Sequence, residues 1–226
     1  MLHWAERRAQ QIAETLPKTE SVVLSSWVEE VDGAAKELMA REGFLPQRYW
    51  WQMELRMETT PSAPIWPDGV HVRAFIAGQD ERATYEALAE AFQTNRGDPY
   101  ESFAEWLHAG IEAENFDPSL WFLAIGDGDQ IAGVTLSELQ VGEERTLGWI
   151  GEVGVRPHWR KRGLALALLY HTFGECYRRG VHSCALVVDA ANPSGATRLY
   201  ERAGMRPNNR TLIRYQKQVR AAGLFE

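Results

Sequence analysis

The chain has 226 residues, 45% of them apolar and 24% charged, with a formal net charge of −7. This composition can bury a sizeable core, and the length suits one large domain, or one domain and a fragment. The acidic balance argues against general nucleic-acid binding, which shows as a basic domain, but it leaves room for one local anion site.

Residues 2–16 place Leu2, Ala5, Ala9, Ile12, Ala13 and Leu16 at helical spacing, and Pro17 ends that helix. Val22-Val23-Leu24 predicts a short strand. Ala34 to Arg41 predicts a helix with Gly43 at its C-terminal stop. Tyr49 to Met57 predicts an aromatic-rich strand. The stretch T-T-P-S-A-P-I-W-P-D-G, residues 59–69, has the composition of a linker and places a domain boundary there.

The pattern then restarts. Val70 to Phe75 predicts a strand, and Glu81 to Phe92 and Tyr100 to Ala113 predict helices. Leu120 to Ile125 and Gln130 to Leu139 predict a hairpin around Gly126-Asp127-Gly128-Asp129. Arg145 to Val155 extends this meander. A helix over Leu164 to Arg179, a strand over Cys184 to Asp189, a helix over Ala196 to Arg202 and a strand over Thr211 to Val219 complete the pattern. The expected fold is α/β, a mixed sheet with helices on both faces.

Two cysteines, Cys176 and Cys184, make no disulfide framework. The six histidines are scattered, and neither C-x-x-C nor H-E-x-x-H occurs, so no metal site is expected. No signal peptide follows Met1, and the longest apolar run, Leu164 to Tyr170, is too short to span a bilayer. These features lead us to expect reduced thiols, a cytoplasmic location and no membrane partner.

Four cations, Arg156, Arg160, Lys161 and Arg162, fall within seven residues between a strand and an apolar helix. The first amides of a helix lack internal partners and carry the positive end of its dipole. With Gly163 permitting close approach and flanking cations adding attraction, the stretch reads as a cradle for a pyrophosphate. It matches neither a Walker A sequence nor G-x-G-x-x-G.

Val153-Gly154-Val155-Arg156-Pro157, followed by Arg160-x-x-Gly163-x-Ala165, resembles the acyl-CoA loop of the GNAT superfamily of N-acyltransferases. The second GNAT signature is matched by Leu186-Val187-Val188-Asp189, Asn192, Ala196, Leu199-Tyr200 and Ala203-Gly204-Met205. The resemblance covers residues 70–219 and implies a V-shaped splay in a mostly antiparallel mixed sheet.

The resemblance also implies acetyl-CoA as co-substrate. Backbone groups near Val153, Gly154 and Val155 would pair with its pantetheine arm. Arg160, Lys161, Arg162, Gly163, Leu164 and Ala165 would hold the pyrophosphate, mostly through main-chain N–H groups. Asn192 would bond the CoA arm. Tyr200 would be the general acid and Glu152 the general base, with Glu138 the second choice. Alternation puts Glu152 on the opposite face from Val153 and Val155 unless a bulge re-aims it. Where some relatives carry the glutamate, this chain has Trp149.

Residues 35–44, A-K-E-L-M-A-R-E-G-F, repeat the pattern of 196–205, A-T-R-L-Y-E-R-A-G-M. The first 58 residues therefore look like the second half of another GNAT domain, with Met39 where Tyr200 lies. This gives a degenerate half-repeat (1–58), a linker (59–69), a complete domain (70–219) and a tail (220–226), similar to tandem-GNAT proteins that include mycothiol synthases. The half-repeat would pack against the complete domain or complete a sheet across a homodimer, covering its strand edges.

The expected activity is N-acetylation of a primary amine, small molecule or peptide, by direct attack in a ternary complex. The alternatives are a non-catalytic acyl-CoA-binding regulator or scaffold, and an RNA contact at the basic loop, which the acidic total opposes. Phe92, Asn95, Arg96, Tyr100 and Trp106 lie in the region expected to read the acceptor.

Overall fold

A computed structural model describes residues 2–92, 102–141, 146–191 and 195–221. The helices are α1 (Leu2–Thr15), α2 (Gly33–Arg41), α3 (Glu81–Phe92), α4 (Phe103–Gly110), α5 (Leu164–Arg178) and α6 (Ala196–Arg202). The strands are β1 (Val22–Glu29), β2 (Leu45–Arg56), β3 (His71–Ala74), β4 (Trp121–Ile125), β5 (Ile131–Val141), β6 (Thr146–Val155), β7 (Ser183–Asp189) and β8 (Arg206–Arg220). Their order is β1-β8-β2-β7-β6-β5-β4-β3.

By contact the chain divides into two compact units that alternate along the sequence. One comprises residues 1–52, 188–191 and 209–226, and the other 53–187 and 192–208. Strands β2, β7 and β8 contribute residues to both.

In the larger unit, β3, β4, β5 and β6 pair antiparallel. The hairpin expected at Gly126 to Asp129 joins β4 to β5. A 3-10 turn closes it, with Gly128 at φ 70° and Asp129 at φ 56°. Strand β4 is buried along its whole length and splits by alternation. Trp121, Leu123 and Ile125 join Leu88 and Trp106 in a core on the α3–α4 face. Phe122 and Ala124 join Trp159, Leu164 and Leu168 on the α5 face. At the start of α3, Arg73 donates to both oxygens of Asp80, at 2.5 and 2.8 Å. The guanidinium holds the Asp80 carboxyl below the usual carboxylate range against the opposing effect of burial.

In the smaller unit, β1 and β8 pair antiparallel from Val22↔Arg220 to Glu29↔Leu212. Strand β1 therefore runs well past Leu24, because Ser25 and Ser26 are held in the ladder by partners on β8 although they break the apolar pattern. Val28, Met39, Phe44, Ile213 and Tyr215 form this unit's core, with Leu2, Leu24 and Ala35 against it. Arg220 is the last residue of β8 and caps the end of α1. It donates to Leu16 O at 3.4 Å, Pro17 O at 2.8 Å and the Ala13 carbonyl.

Helix α4 is shorter than its pattern suggested. It starts at a capping box, in which Ser102 and Glu105 satisfy each other's backbone amides, and its C-cap is Ile111.

The sequence repeat is also a repeat of backbone geometry. Phe44 N donates to Met39 O at 2.9 Å, and Met205 N donates to Tyr200 O at 3.0 Å. Gly43 and Gly204 both sit in the left-handed region, at φ 79° and 92°. Both helices thus end in the same glycine stop, but Met39 is core while Tyr200 is in a cavity wall.

Candidate active site

Strand β6 follows β7 in parallel only at Gly148↔Cys184 and Trp149↔Ala185. The pairing starts there because Gly148 lets the two strands and α5 approach. A Cβ on Gly148 would lie 2.7 Å from Cys176 Sγ and 2.9 Å from Cys184 Sγ. Beyond Trp149 the strands part, which is the expected V-shaped splay.

On its other edge β6 stays paired to β5 as far as Gly133↔Val155, and Arg156 N donates to Ala132 O at 3.0 Å. Backbone groups alternate in direction along a strand, so those of Val153 and Val155 point away from β5 into the splay.

The register shifts between Leu136 and Ser137, leaving Gly151 as an unpaired extra residue in β6. Glu152 then pairs with Leu136 and Trp149 with Glu138, while Val153 pairs with Thr135. Glu152 therefore stays opposite Val153 and Val155, as alternation indicated, and the bulge brings Trp149 onto its face, the one covered by α3. A Cβ on Gly154 would meet Ala91 and Leu88 at 3.2 Å.

After β6 the chain makes a 3-10 turn over Pro157–Trp159. Lys161 at φ 62° and Gly163 at φ 85° are both left-handed, and Gly163 is the N-cap of α5 without any side-chain cap. No side chain therefore caps the first amides of α5. The helix behind them buries Leu164, Ala167, Leu168 and Phe173.

A cavity of about 620 Å³ opens between these elements. Of the residues expected to bind or react, Val153, Gly154, Val155, Arg160, Lys161, Gly163, Leu164, Ala165 and Tyr200 line it. Glu152 and Arg162 are not among its lining residues. The Arg162 guanidinium lies over the Trp159 ring at 4.9 Å. Asn192, Asn95, Arg96 and Tyr100 fall outside the described residues.

Tyr200 enters from α6. Burial pushes its phenol up from 10 to about 12, so it stays protonated across the neutral range. Glu138 accepts from Gln140 Nε2 at 2.9 Å and from Asn115.

Sequence reasoning missed Trp159, which lines the cavity and is buried in the α5-face core. Its signal was a lone aromatic inside the basic loop. A Cβ on Gly126 would lie 2.3 Å from Trp159 Cζ2 and 2.5 Å from Cη2, so Gly126 has to lack a side chain. Gly126→Ala should destabilise the fold by about 2 kcal/mol through overpacking. It should also weaken any ligand of the loop, because the ring must move. Chemical denaturation checks the first effect and titration the second.

The model of the Acetyltransferase (GNAT) family matches residues 82–205. The chain belongs to that family. A mycothiol acetyltransferase of Paenarthrobacter aurescens is 34% identical over 185 residues, covering 80% of this chain and 56% of its own. A second, from Streptomyces scabiei, is 32% identical over 196 residues, covering 80% and 58%. The chain thus spans a little over half the length of these curated relatives.

Among solved structures, a GCN5-related N-acetyltransferase from Sphaerobacter thermophilus aligns with a TM-score of 0.77 at 39% identity, covering 99% of this chain and 68% of that one. A tandem GNAT protein from the clavulanic acid biosynthesis pathway shares the fold at 16% identity, with a TM-score of 0.65, covering 97% and 70%. Within the GNAT family the chain is similar to the mycothiol enzymes. No helix among the described residues is long and apolar enough to cross a membrane.

Proposed function

We propose that this protein transfers an acetyl group from acetyl-CoA to the primary amine of a small, mycothiol-related acceptor. The observation that carries this reading is the splay. It leaves backbone donors and acceptors of Val153 and Val155 open beside the uncapped N-terminus of α5, in one cavity with Tyr200. A thioester arm can add to that strand edge while its pyrophosphate meets the amides of the loop. The names of the curated relatives supply the acceptor class.

In the proposed reaction the neutral amine attacks the thioester carbonyl and a C–N bond forms. The oxyanion of the intermediate takes a hydrogen bond from a β6 amide. As the C–S bond breaks, the thiolate takes the Tyr200 proton, which solvent later replaces. Glu152 accepts the amine's proton through water from the α3 face, and Glu138 shares that face. Neither cysteine lines the cavity, which supports direct attack over a cysteine acyl-enzyme.

The N-terminal residues form in this reading a half-repeat with Met39 where Tyr200 lies, and β1 at the end of the strand order is the edge through which two copies would pair.

The test is acetyl-CoA binding followed by turnover over a panel of small amines. Glu152→Gln should lower kcat about 100-fold and remove the acidic limb of the pH–rate profile, as expected for loss of a general base. If only Glu138→Gln does so, the base is Glu138. Acetyl-CoA binding without turnover on any amine would instead favour a regulator or scaffold.

A further inference from the structure

The basic stretch was read as attraction for an anion, yet most of its charge is used inside the protein. Arg160 donates Nη2–H to Ala91 O at 2.7 Å and Nε–H to Val155 O at 3.2 Å. Arg156 pairs with Glu90 at 2.7 Å and donates to Ile131 O at 3.3 Å. Arg162 lies over Trp159. Among the described residues, only Lys161 of the four cations has no ion pair, side-chain hydrogen bond or ring contact.

Glu90 and Ala91 belong to the last turn of α3, where four carbonyls lack internal partners and the dipole is negative. Val155 is the last residue of the donor strand. Two guanidiniums on either side of the Pro157–Trp159 turn therefore hold one helix end. Ala91 and Phe92 in that last turn also line the cavity.

We propose that Arg160, seconded by Arg156, is a positioning residue. It ties the C-terminus of α3 to the end of β6 and so sets the wall formed by Ala91 and Phe92 relative to the strand that holds the donor. Pyrophosphate attraction falls to Lys161 and the loop amides. This inference rests on the proposed acetyl-CoA reading for its consequence, but the brace itself is measurable without any ligand.

The experiment compares Arg160→Met, Arg160→Lys and Lys161→Met with wild type. Hydrogen exchange is followed at the last turn of α3, and acetyl-CoA titrations are run at several salt concentrations. Arg160→Met should speed exchange of amides 88–92 at least tenfold and leave the salt dependence of donor affinity as in wild type. Arg160→Lys, which still donates to a carbonyl, should recover part of the protection. Lys161→Met should leave exchange alone and flatten the salt dependence.

The proposal falls if Arg160→Met flattens the salt dependence as Lys161→Met does, or if exchange at α3 does not change. Failure of wild type to bind acetyl-CoA would sink the proposed function alone, because the exchange comparison still decides the brace.

Discussion

Gly163→Asp is expected to abolish acetyl-CoA binding while leaving the protein folded. A Cβ at this position meets nothing within 4 Å, so the fold has space for the side chain. The backbone at φ 85° costs a non-glycine residue about 1–2 kcal/mol. The new carboxylate then sits at the mouth of the α5 N-terminus, the place proposed for the donor's pyrophosphate. Two like charges ~4 Å apart at an effective dielectric of ~20 repel by about 4 kcal/mol, roughly a thousandfold in affinity.

In a thermal shift assay, acetyl-CoA at ~100 times its Kd should stabilise wild type by about 2.7 kcal/mol. The variant should show no shift. Gly163→Ala separates the two effects, since it carries the backbone cost without the charge and should bind only several-fold more weakly. An unchanged shift in the aspartate variant would mean that the donor does not use this loop.

The second large effect is expected at Tyr200. Tyr200→Phe should lower kcat about 100-fold, the low end for a lost general acid, with little change in the KM for acetyl-CoA. The phenol is raised by burial from 10 to about 12. The folded protein therefore keeps this proton up to about pH 12, whereas the unfolded chain releases it near pH 10. No alkaline fall in rate should arise from Tyr200 below ~pH 11. The stability that this shift contributes is whole below pH ~10 and is lost as pH rises through about 12. A pH–rate profile of wild type and variant, with denaturation above pH 10, checks both statements. Equal turnover by Tyr200→Phe would remove the phenol from the reaction.

Much of this fold was legible because its signals are local. Helix α3 runs from Glu81 to Phe92 and α6 from Ala196 to Arg202, as their apolar spacing indicated. The Gly126 to Asp129 turn closes a hairpin for the same reason that any Gly-Asp run favours left-handed backbone. The repeat was visible because a left-handed glycine stop leaves a glycine at the same offset from an apolar helix face, at Gly43 and Gly204. The basic loop before α5 was legible because a glycine beside a helix start lacking a side-chain cap is a local feature, seen at Gly163.

What the sequence by itself determined, then, was the set of elements, the family signatures and the position of the basic loop before α5. Only the tertiary structure decided which way the side chains act. Alternation along β6 put Glu152 opposite Val153 and Val155, as found, but could not show that it shares a face with Trp149, because one unpaired residue, Gly151, shifts every later side chain by one face relative to those before it. The charge of Arg156 and Arg160 looked free because their partners, Glu90, Ala91 O and Ile131 O, are distant in sequence. The requirement for glycine at 126 arises from a tryptophan ring 33 positions away in the chain. Each of these depends on a long-range contact, and composition, periodicity and spacing carry no information about contacts between residues that meet only when the chain has folded.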